Sequence, residues 1–212
     1  MGVSVIKRSV AVFLDRDGVI NCNVMNPLTR AWEAPMTAED LVLSPNTGSA
    51  LRALREAGFL LFLVSNQPNH AKGKASLQTL DRIHNRLLAQ LNNEKVMFDA
   101  FYYCLHHPHG VVREYSGLCL CRKPSPFFLF QARDKFCLDL EHSWMIGDRN
   151  TDIQCGQTAG VRTIRVLNNE EDSCAADGDM HAEFQVDGLK AAVAIILHAA
   201  NRCVRRALKE SD

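Results

Sequence analysis

Short apolar segments of strand length alternate along this chain with longer segments whose apolar residues repeat every three or four positions. The clearest is Phe59–Val64, a continuous apolar run typical of a strand that is buried on both faces. The same reasoning predicts further strands at Ser9–Leu14, Phe98–Tyr103, Ser143–Ile146, Arg162–Val166 and Phe184–Val186. It predicts helices at Asn46–Ala57, Ser76–Leu91, Thr151–Ala159, Leu189–Leu208 and from Pro126 onward, with Ser125 as the N-cap of the last.

This alternation of strand and helix indicates the α/β class. We expect a doubly wound, Rossmann-like parallel sheet with helices on both faces, because crossover helices must cover both faces of such a sheet. The length of 212 residues predicts one domain over residues 1–212. The stretches between motifs leave no room for a separate cap domain. Ligands of such sheets bind beyond the carboxyl ends of the strands.

Charge and hydropathy exclude several classes of partner. The 24 basic residues balance the 24 acidic ones, and no basic stripe stands out, which argues against nucleic acid as the main partner. No apolar run reaches the length of a membrane span, and we do not expect a signal peptide in the first residues, because their apolar part is too short. Eight cysteines in such a chain favour metal binding or burial over disulfides. A monomeric, cytoplasmic enzyme is expected.

An acidic pair follows the first predicted strand. Asp15 and Asp17 stand two residues apart, and buried carboxylates repel each other unless a cation joins them. Asp15 is placed to act as a nucleophile, and Asp17 can protonate a leaving group and later deprotonate water. The alternative is a pair of aspartates that only caps backbone amides, and the pair alone does not decide between the two interpretations.

Two further segments can bind phosphate. Ser65, Asn66 and Gln67 follow the strand that ends at Val64, where a hydroxyl and free backbone amides suit phosphate oxygens. Arg122 and Lys123 precede a helix start, so Lys123 can face a phosphoryl group while Arg122 grips another part of the substrate. Each segment alone is more often ordinary surface.

A second acidic pair lies in Met145–Ile153. Asp148 follows a predicted strand, and Asp152 lies one helical turn further on the same face. Carboxylates in this arrangement can hold a hard cation such as Mg²⁺. The alternative is an N-cap aspartate with an acid in the first helical turn.

The order of these four motifs resembles that of the haloacid dehalogenase-like (HAD-like) phosphatase superfamily over about residues 9–190. The resemblance implies an aspartyl-phosphate intermediate on Asp15, with Asp17 as acid and then base. It implies Mg²⁺ held by Asp15, the carbonyl of Asp17 and Asp148, with Asp152 in support. Ser65 and Lys123 would stabilise the transferring phosphoryl group, which suits a reaction that depends on positioning and charge neutralisation.

A cysteine-histidine cluster follows the third predicted strand. Its C-x-H…C-x-C spacing offers four ligands for a structural zinc, which are Cys104, His106, Cys119 and Cys121. Four protein ligands leave no open coordination position for catalysis. His107 and His109 are rival ligands, and His106 is preferred on spacing and resemblance. Buried free thiols are the alternative. A zinc-bound loop would hold Arg122 and Lys123 in place.

A zinc loop that ends in CRKP is similar to two branches of the superfamily, the heptose-bisphosphate phosphatases and the histidinol-phosphate phosphatases. The loop favours the first branch, although those enzymes often have Lys where Arg149 stands and Ser-Gly after SNQ. The expected substrate is a small phosphorylated sugar, contacted by Asn66, Gln67, Arg122 and Arg149. A polynucleotide 3′-phosphatase and a non-catalytic zinc protein are weaker alternatives.

Overall fold

The computed structural model describes residues 8–27, 29–167 and 181–209. Its main sheet has six parallel strands in the spatial order β5-β4-β1-β6-β7-β8. The strands are β1 (Ala11–Leu14), β4 (Leu60–Asn66), β5 (Ala100–Cys104), β6 (Trp144–Gly147), β7 (Arg162–Val166) and β8 (Phe184–Val186), and β2 (Val24–Met25) and β3 (Trp32–Glu33) form a separate antiparallel pair. The helices are α1 (Thr47–Glu56), α2 (Leu77–Asn93), α3 (Phe127–Phe136), α4 (Asn150–Ala159) and α5 (Leu189–Lys209), with a 3-10 turn at Arg113–Tyr115.

Alternate side chains of β1 pack into two separate apolar cores, one on each face of the sheet. Val12 and Leu14 pack on the face that α1, α2 and α5 cover. Ala11 and Phe13 pack on the opposite face, against side chains of α3 and α4. This period of two, with apolar residues at every position, is what a strand covered on both faces requires. The predicted doubly wound sheet with helices on both faces is therefore confirmed.

The strand order reverses at β1, which lies between β4 and β6. In a doubly wound sheet, such a reversal opens a crevice beyond the carboxyl ends of the strands that flank it. The loops after β1, β4 and β6 therefore meet at one edge. In the described part of the chain no separate cap domain covers this edge.

Several predicted boundaries are wrong by one or two residues. The second strand continues to Asn66 instead of ending at Val64, because Ser65 and Asn66 still pair with Tyr103 and Cys104 of β5. The last helix before β6 has Pro126 as its N-cap, not Ser125. The Ser125 hydroxyl donates instead to the carbonyl of Leu120, 2.5 Å away.

The short hairpin of β2 and β3 was not predicted. It lies in the segment after Asn21, and its strands have only two residues each, which is too short for an alternating pattern to be visible. In the described residues, no helix is both long enough and apolar enough to cross a membrane.

Candidate active site

Polar residues from four segments meet at the carboxyl edge of the sheet. Asp15 follows β1, Ser65 lies near the end of β4, and Asp148 follows β6. Lys123 enters from the loop before α3, and Asp152 from the first turn of α4. The fold thus places at one edge the carboxylates, the hydroxyl and the ammonium that lie far apart in the sequence.

Lys123 lies at the centre of this group and is almost completely buried. Its Nζ is 2.9 Å from Oδ1 of Asp15 and 2.6 Å from Oδ1 of Asp152. It also donates to the carbonyl of Val64 at 2.7 Å. An ammonium group has three donors, so these partners use all of them and fix the side chain in one place.

Asn66 holds the backbone of Lys123 from the neighbouring strand. Its Nδ2 donates to the carbonyl of Lys123 at 3.1 Å, and its Oδ1 accepts from the Lys123 N–H at 3.0 Å. In this arrangement the Asn66 amide is engaged by the protein chain. It joins the end of β4 to the loop that carries Lys123.

The charges of this group strongly influence one another. Burial opposes ionisation of Asp15, but the Lys123 ammonium and hydrogen bonds from Lys123 and Ser65 outweigh it and keep the Asp15 pKa below its ordinary value. Burial also disfavours the charged form of Lys123, but Asp15 and Asp152 raise the Lys123 pKa. Burial and the nearby Asp15 raise the pKa of Asp152. At neutral pH the nucleophile candidate is therefore ionised beside a fixed ammonium.

The side chains of Asp15, Asp148 and Asp152 form an acidic group whose ligand atoms lie within 4.8 Å of one another. Three carboxylates and one ammonium leave an excess of two negative charges, which a divalent cation would balance. Oxygen donors of this kind are what Mg²⁺ prefers. Asp152 is already bound to Lys123 and to the Arg149 N–H at 3.0 Å, so Asp15 and Asp148 are the better placed ligands.

Gly147 makes the close approach of Asp152 possible. A Cβ at position 147 would lie 2.1 Å from the Cβ of Asp152, which is well inside van der Waals contact. Only glycine therefore allows the first turn of α4 to pack this tightly against the end of β6. The glycine of the Met145–Ile153 motif thus serves the placement of the acidic group.

Asp17 lies beside this group and is held by three side chains. Arg16 donates to both of its oxygens, from Nε to Oδ1 at 2.9 Å and from Nη2 to Oδ2 at 3.1 Å. Gln67 donates to Oδ2 at 2.6 Å, and Asn21 donates to Oδ1 at 3.1 Å. Gln67 also donates to the hydroxyl of Ser65 at 3.1 Å.

Arg16 is a site residue that the sequence reasoning missed. It is 2% exposed, although an arginine between two acids at a strand end is usually read as surface. It lies beside Tyr103 of β5, whose burial raises its pKa to about 12 even though the charge of Arg16 opposes the shift. Arg16 could have been identified from the charge of the motif, because the buried carboxylates of Asp15 and Asp17 require nearby cations.

The predicted zinc ligands form a compact group. The Sγ of Cys119 lies 3.6 Å from the Sγ of Cys104 and 3.6 Å from that of Cys121, and Nδ1 of His106 lies 3.8 Å from the Sγ of Cys121. All four ligand atoms are within 4.8 Å of one another. Three sulfurs and one imidazole in this space suit a tetrahedral zinc ion.

Among the described residues, the compact ligand group does not include the rival ligand His107. Its Nδ1 accepts from the His109 N–H at 3.1 Å, and its backbone pairs with the turn at Tyr115 and Gly117. Arg122 follows the last cysteine and donates to the carbonyl of His106 at 3.1 Å. The cysteine-histidine loop is thus attached directly to the segment that carries Arg122 and Lys123.

Several cations lie near the open side of the site. Partial desolvation of the Lys72 ammonium lowers its pKa, and the positive charges of Lys74, Arg122 and Arg149 lower it further. Arg149 and Lys72 are exposed, and Arg122 is half-buried. These side chains therefore form a positive region, which adjoins the acidic centre through Arg149, since Arg149 also interacts with the charges of Asp148 and Asp15.

Comparison with known proteins identifies the class. The HAD-hydrolase-like family model matches residues 120–192, which include Lys123, Asp148 and Asp152. A parallel sheet with an acidic pair after its first strand and a buried lysine facing it is the arrangement of a HAD-like hydrolase.

Closer relatives narrow this class. The D-glycero-beta-D-manno-heptose-1,7-bisphosphate 7-phosphatase of Salmonella typhi is 32% identical over 84% of this chain and 90% of its own length. The D-glycero-D-manno-heptose-1,7-bisphosphate 7-phosphatase of Chlorobaculum tepidum is 35% identical over 77% of this chain and 82% of its own. The chain belongs to the family of these heptose-bisphosphate phosphatases, and the resemblance expected from the sequence is confirmed.

Solved structures agree with this assignment. The D,D-heptose 1,7-bisphosphate phosphatase of B. bronchiseptica, complexed with magnesium and phosphate, has a TM-score of 0.73 and 25% identity, with 90% of this chain and 99% of that chain covered. A HAD-like phosphatase from Mesorhizobium loti has a TM-score of 0.73 and 28% identity, over 94% of this chain and 90% of that one.

Proposed function

We propose that this protein is a Mg²⁺-dependent phosphatase that removes the 7-phosphate of D-glycero-D-manno-heptose 1,7-bisphosphate. The observation that carries the proposal is the buried contact of Lys123 with Asp15 and Asp152, which holds an ionised carboxylate beside a fixed positive charge. The choice of the sugar rests on the names of the relatives, which are heptose-1,7-bisphosphate 7-phosphatases.

Asp15 is the nucleophile in this proposal. One of its oxygens attacks the phosphorus, and the leaving alkoxide takes a proton from Asp17. Water then attacks the phosphorus of the aspartyl phosphate while Asp17 accepts a proton from it. The ionised state of Asp15 suits this role, since a protonated carboxyl is a poor nucleophile.

In this proposal, Ser65, Lys123 and a bound Mg²⁺ stabilise the negative charge of the transferring phosphoryl group. The Ser65 hydroxyl is placed to donate to an oxygen of the transferring phosphoryl group, and the Lys123 ammonium supplies a fixed positive charge beside it. The Lys123 donor that Asp15 accepts in this structure would pass to a phosphoryl oxygen once Asp15 bonds to phosphorus. Asp15, the carbonyl of Asp17 and Asp148 would hold the cation, and Asp152 would support them. When bound, Mg²⁺ offsets the negative charge that the phosphoryl group brings into an acidic site.

A bisphosphate substrate agrees with the positive region around the site. Lys72, Arg122 and Arg149 carry positive charge near the acidic centre, and a phosphate that is not transferred requires such partners. Asn66 and Gln67, which the sequence predicted as substrate contacts, support the substrate-binding set by holding the backbone of Lys123 and the side chain of Asp17.

The function is tested by measuring phosphate release with Mg²⁺ from heptose 1,7-bisphosphate and from histidinol phosphate, the substrate of the alternative branch. We expect kcat/KM to be at least about 10²-fold higher for the bisphosphate, because only it offers a second phosphate to the positive region. A higher kcat/KM for histidinol phosphate would overturn the choice of sugar. Background release from both would overturn the phosphatase itself.

A structural zinc is the second cofactor that we propose. Its ligands would be Cys104, His106, Cys119 and Cys121, whose chemistry and mutual distances fit a closed four-ligand site. The zinc would stabilise the loop that leads to Arg122 and Lys123, and so act on catalysis only through their placement.

Replacing Cys119 by Ser is expected to remove zinc from the purified protein and to lower its thermal midpoint. Structural zinc sites contribute roughly 10–16 kcal/mol of binding free energy in small peptides, so even a partial loss is measurable. Metal content by mass spectrometry and thermal unfolding check this, with the exposed Cys22→Ser as the matched control. A Cys119→Ser protein that retains one zinc per chain would contradict the site.

A further inference from the structure

The Arg16 guanidinium and the Gln67 amide form a closed ring with the carboxylate of Asp17. Arg16 donates to both oxygens of Asp17 and also, at 2.8 Å, to Oε1 of Gln67. The Nε2 of Gln67 in turn donates to Oδ2 of Asp17 at 2.6 Å. Arg16 and Gln67 are each 2% exposed, so neither exchanges these bonds for water.

The ring admits only one orientation of the Gln67 amide. Its oxygen must face the guanidinium, which only donates, and its nitrogen must face the carboxylate. The guanidinium is planar and bonds both oxygens of Asp17, so it fixes the plane of the carboxylate as well as its position. No other pair of residues described here constrains Asp17 in this way.

Both oxygens of Asp17 are held by other side chains. Oδ2 accepts from Arg16 at 3.1 Å and from Gln67 at 2.6 Å. Oδ1 accepts from Nε of Arg16 at 2.9 Å and from Asn21 at 3.1 Å, and the Asn21 amide also donates to the carbonyl of Cys22 at 2.9 Å. Arg16 and Gln67 therefore fix the carboxyl group at both oxygens, and Asn21 adds a further contact.

We infer that Arg16 and Gln67 are positioning residues that fix the position and the plane of the Asp17 carboxyl group for proton transfer. The inference rests on the proposed function, in which Asp17 is the acid and then the base. In the first step the Asp17 carboxyl group gives its proton to the leaving oxygen as the bond from that oxygen to phosphorus breaks. In the second step the Asp17 carboxylate takes a proton from the water that attacks the aspartyl phosphate, and the bond from Asp15 to phosphorus breaks.

The inference predicts a dependence on the leaving group. A sugar alkoxide needs a proton to leave, whereas p-nitrophenolate is stable without one. Because kcat/KM reports only the steps up to departure of the leaving group, it separates the acid role from the later hydrolysis. Misplacing Asp17 should therefore lower kcat/KM for the sugar bisphosphate and spare p-nitrophenyl phosphate.

The test uses two variants. Gln67→Met keeps the side-chain length but removes the amide oxygen and nitrogen. Arg16→Lys keeps the positive charge but removes the planar guanidinium that bonds both oxygens of Asp17. For each variant we expect kcat/KM for heptose 1,7-bisphosphate to fall about 10²-fold, and that for p-nitrophenyl phosphate to fall less than about 3-fold. Retained activity on the aryl ester also shows that the variant is folded and that Asp15 is intact.

The controls are Gln90→Met and Arg52→Lys, which make the same changes elsewhere. Gln90 bonds the backbone of Leu41 and Leu43, and Arg52 pairs with Glu94, so both should leave the ratio of the two kcat/KM values unchanged. Equal losses on both substrates in Gln67→Met and Arg16→Lys, or no loss on either, would overturn the positioning role. That outcome leaves the proposed function intact, because the proposed function is tested on the unaltered protein.

Discussion

Replacing Asp15 by Asn is expected to reduce turnover of the bisphosphate by about 10⁴-fold or more, since it removes the nucleophile and leaves an amide that cannot form the phosphoryl bond. The substitution has nearly the same shape, and it removes one of the two carboxylates that compete for Lys123. The folded structure should therefore persist, and the loss should be in kcat.

The measurement is steady-state phosphate release with Mg²⁺, alongside a thermal unfolding curve for each protein. Asp139→Asn is the matched control, because this aspartate pairs with His142 on the surface and lies outside the site. An Asp15→Asn protein that retains more than about a tenth of the activity would contradict the nucleophile assignment.

Replacing Lys123 by Met is expected to destabilise the fold and to lower turnover. The change leaves Asp15 and Asp152 buried without the ammonium between them, and removing one partner of a buried ion pair typically costs about 3–5 kcal/mol. Turnover should fall about 10²- to 10³-fold, because the phosphoryl oxygens lose a fixed donor.

Urea unfolding without added Mg²⁺ measures the first effect, and phosphate release measures the second. The double variant Lys123→Met/Asp152→Asn removes one of the two unpaired charges, so it should recover part of the lost stability and none of the turnover. An unchanged urea midpoint for Lys123→Met would show that the contact contributes nothing to the free energy of unfolding.

The sequence was sufficient for the positions of the catalytic candidates along the chain. Asp15 and Asp148 each end a continuous apolar run, and parallel strands bring such positions to one edge of the sheet. The four candidate zinc ligands were likewise identifiable, because their spacing places two pairs of ligand atoms on either side of a loop.

Side-chain partners could not be predicted in the same way. The sequence predicts that Asn66 and Gln67 face the substrate. In the structure the Asn66 amide bonds the backbone of Lys123, and the Gln67 amide bonds Asp17. Which of the two adjacent amides takes which partner depends on the register of β4 with its neighbouring strands. The burial of Arg16 depends in turn on Gln67 and Tyr103, which lie far from it in sequence. Local patterns carry no information about such long-range pairs.

The most direct test of the mechanism is to trap the covalent intermediate. The protein is mixed with heptose 1,7-bisphosphate and Mg²⁺, quenched in acid within one turnover, digested, and its peptides are weighed by mass spectrometry. The account predicts one added phosphoryl group on the peptide that contains Asp15, and none on that peptide in Asp15→Asn. Hydrolysis of the bisphosphate with the phosphoryl group on a different residue would contradict it.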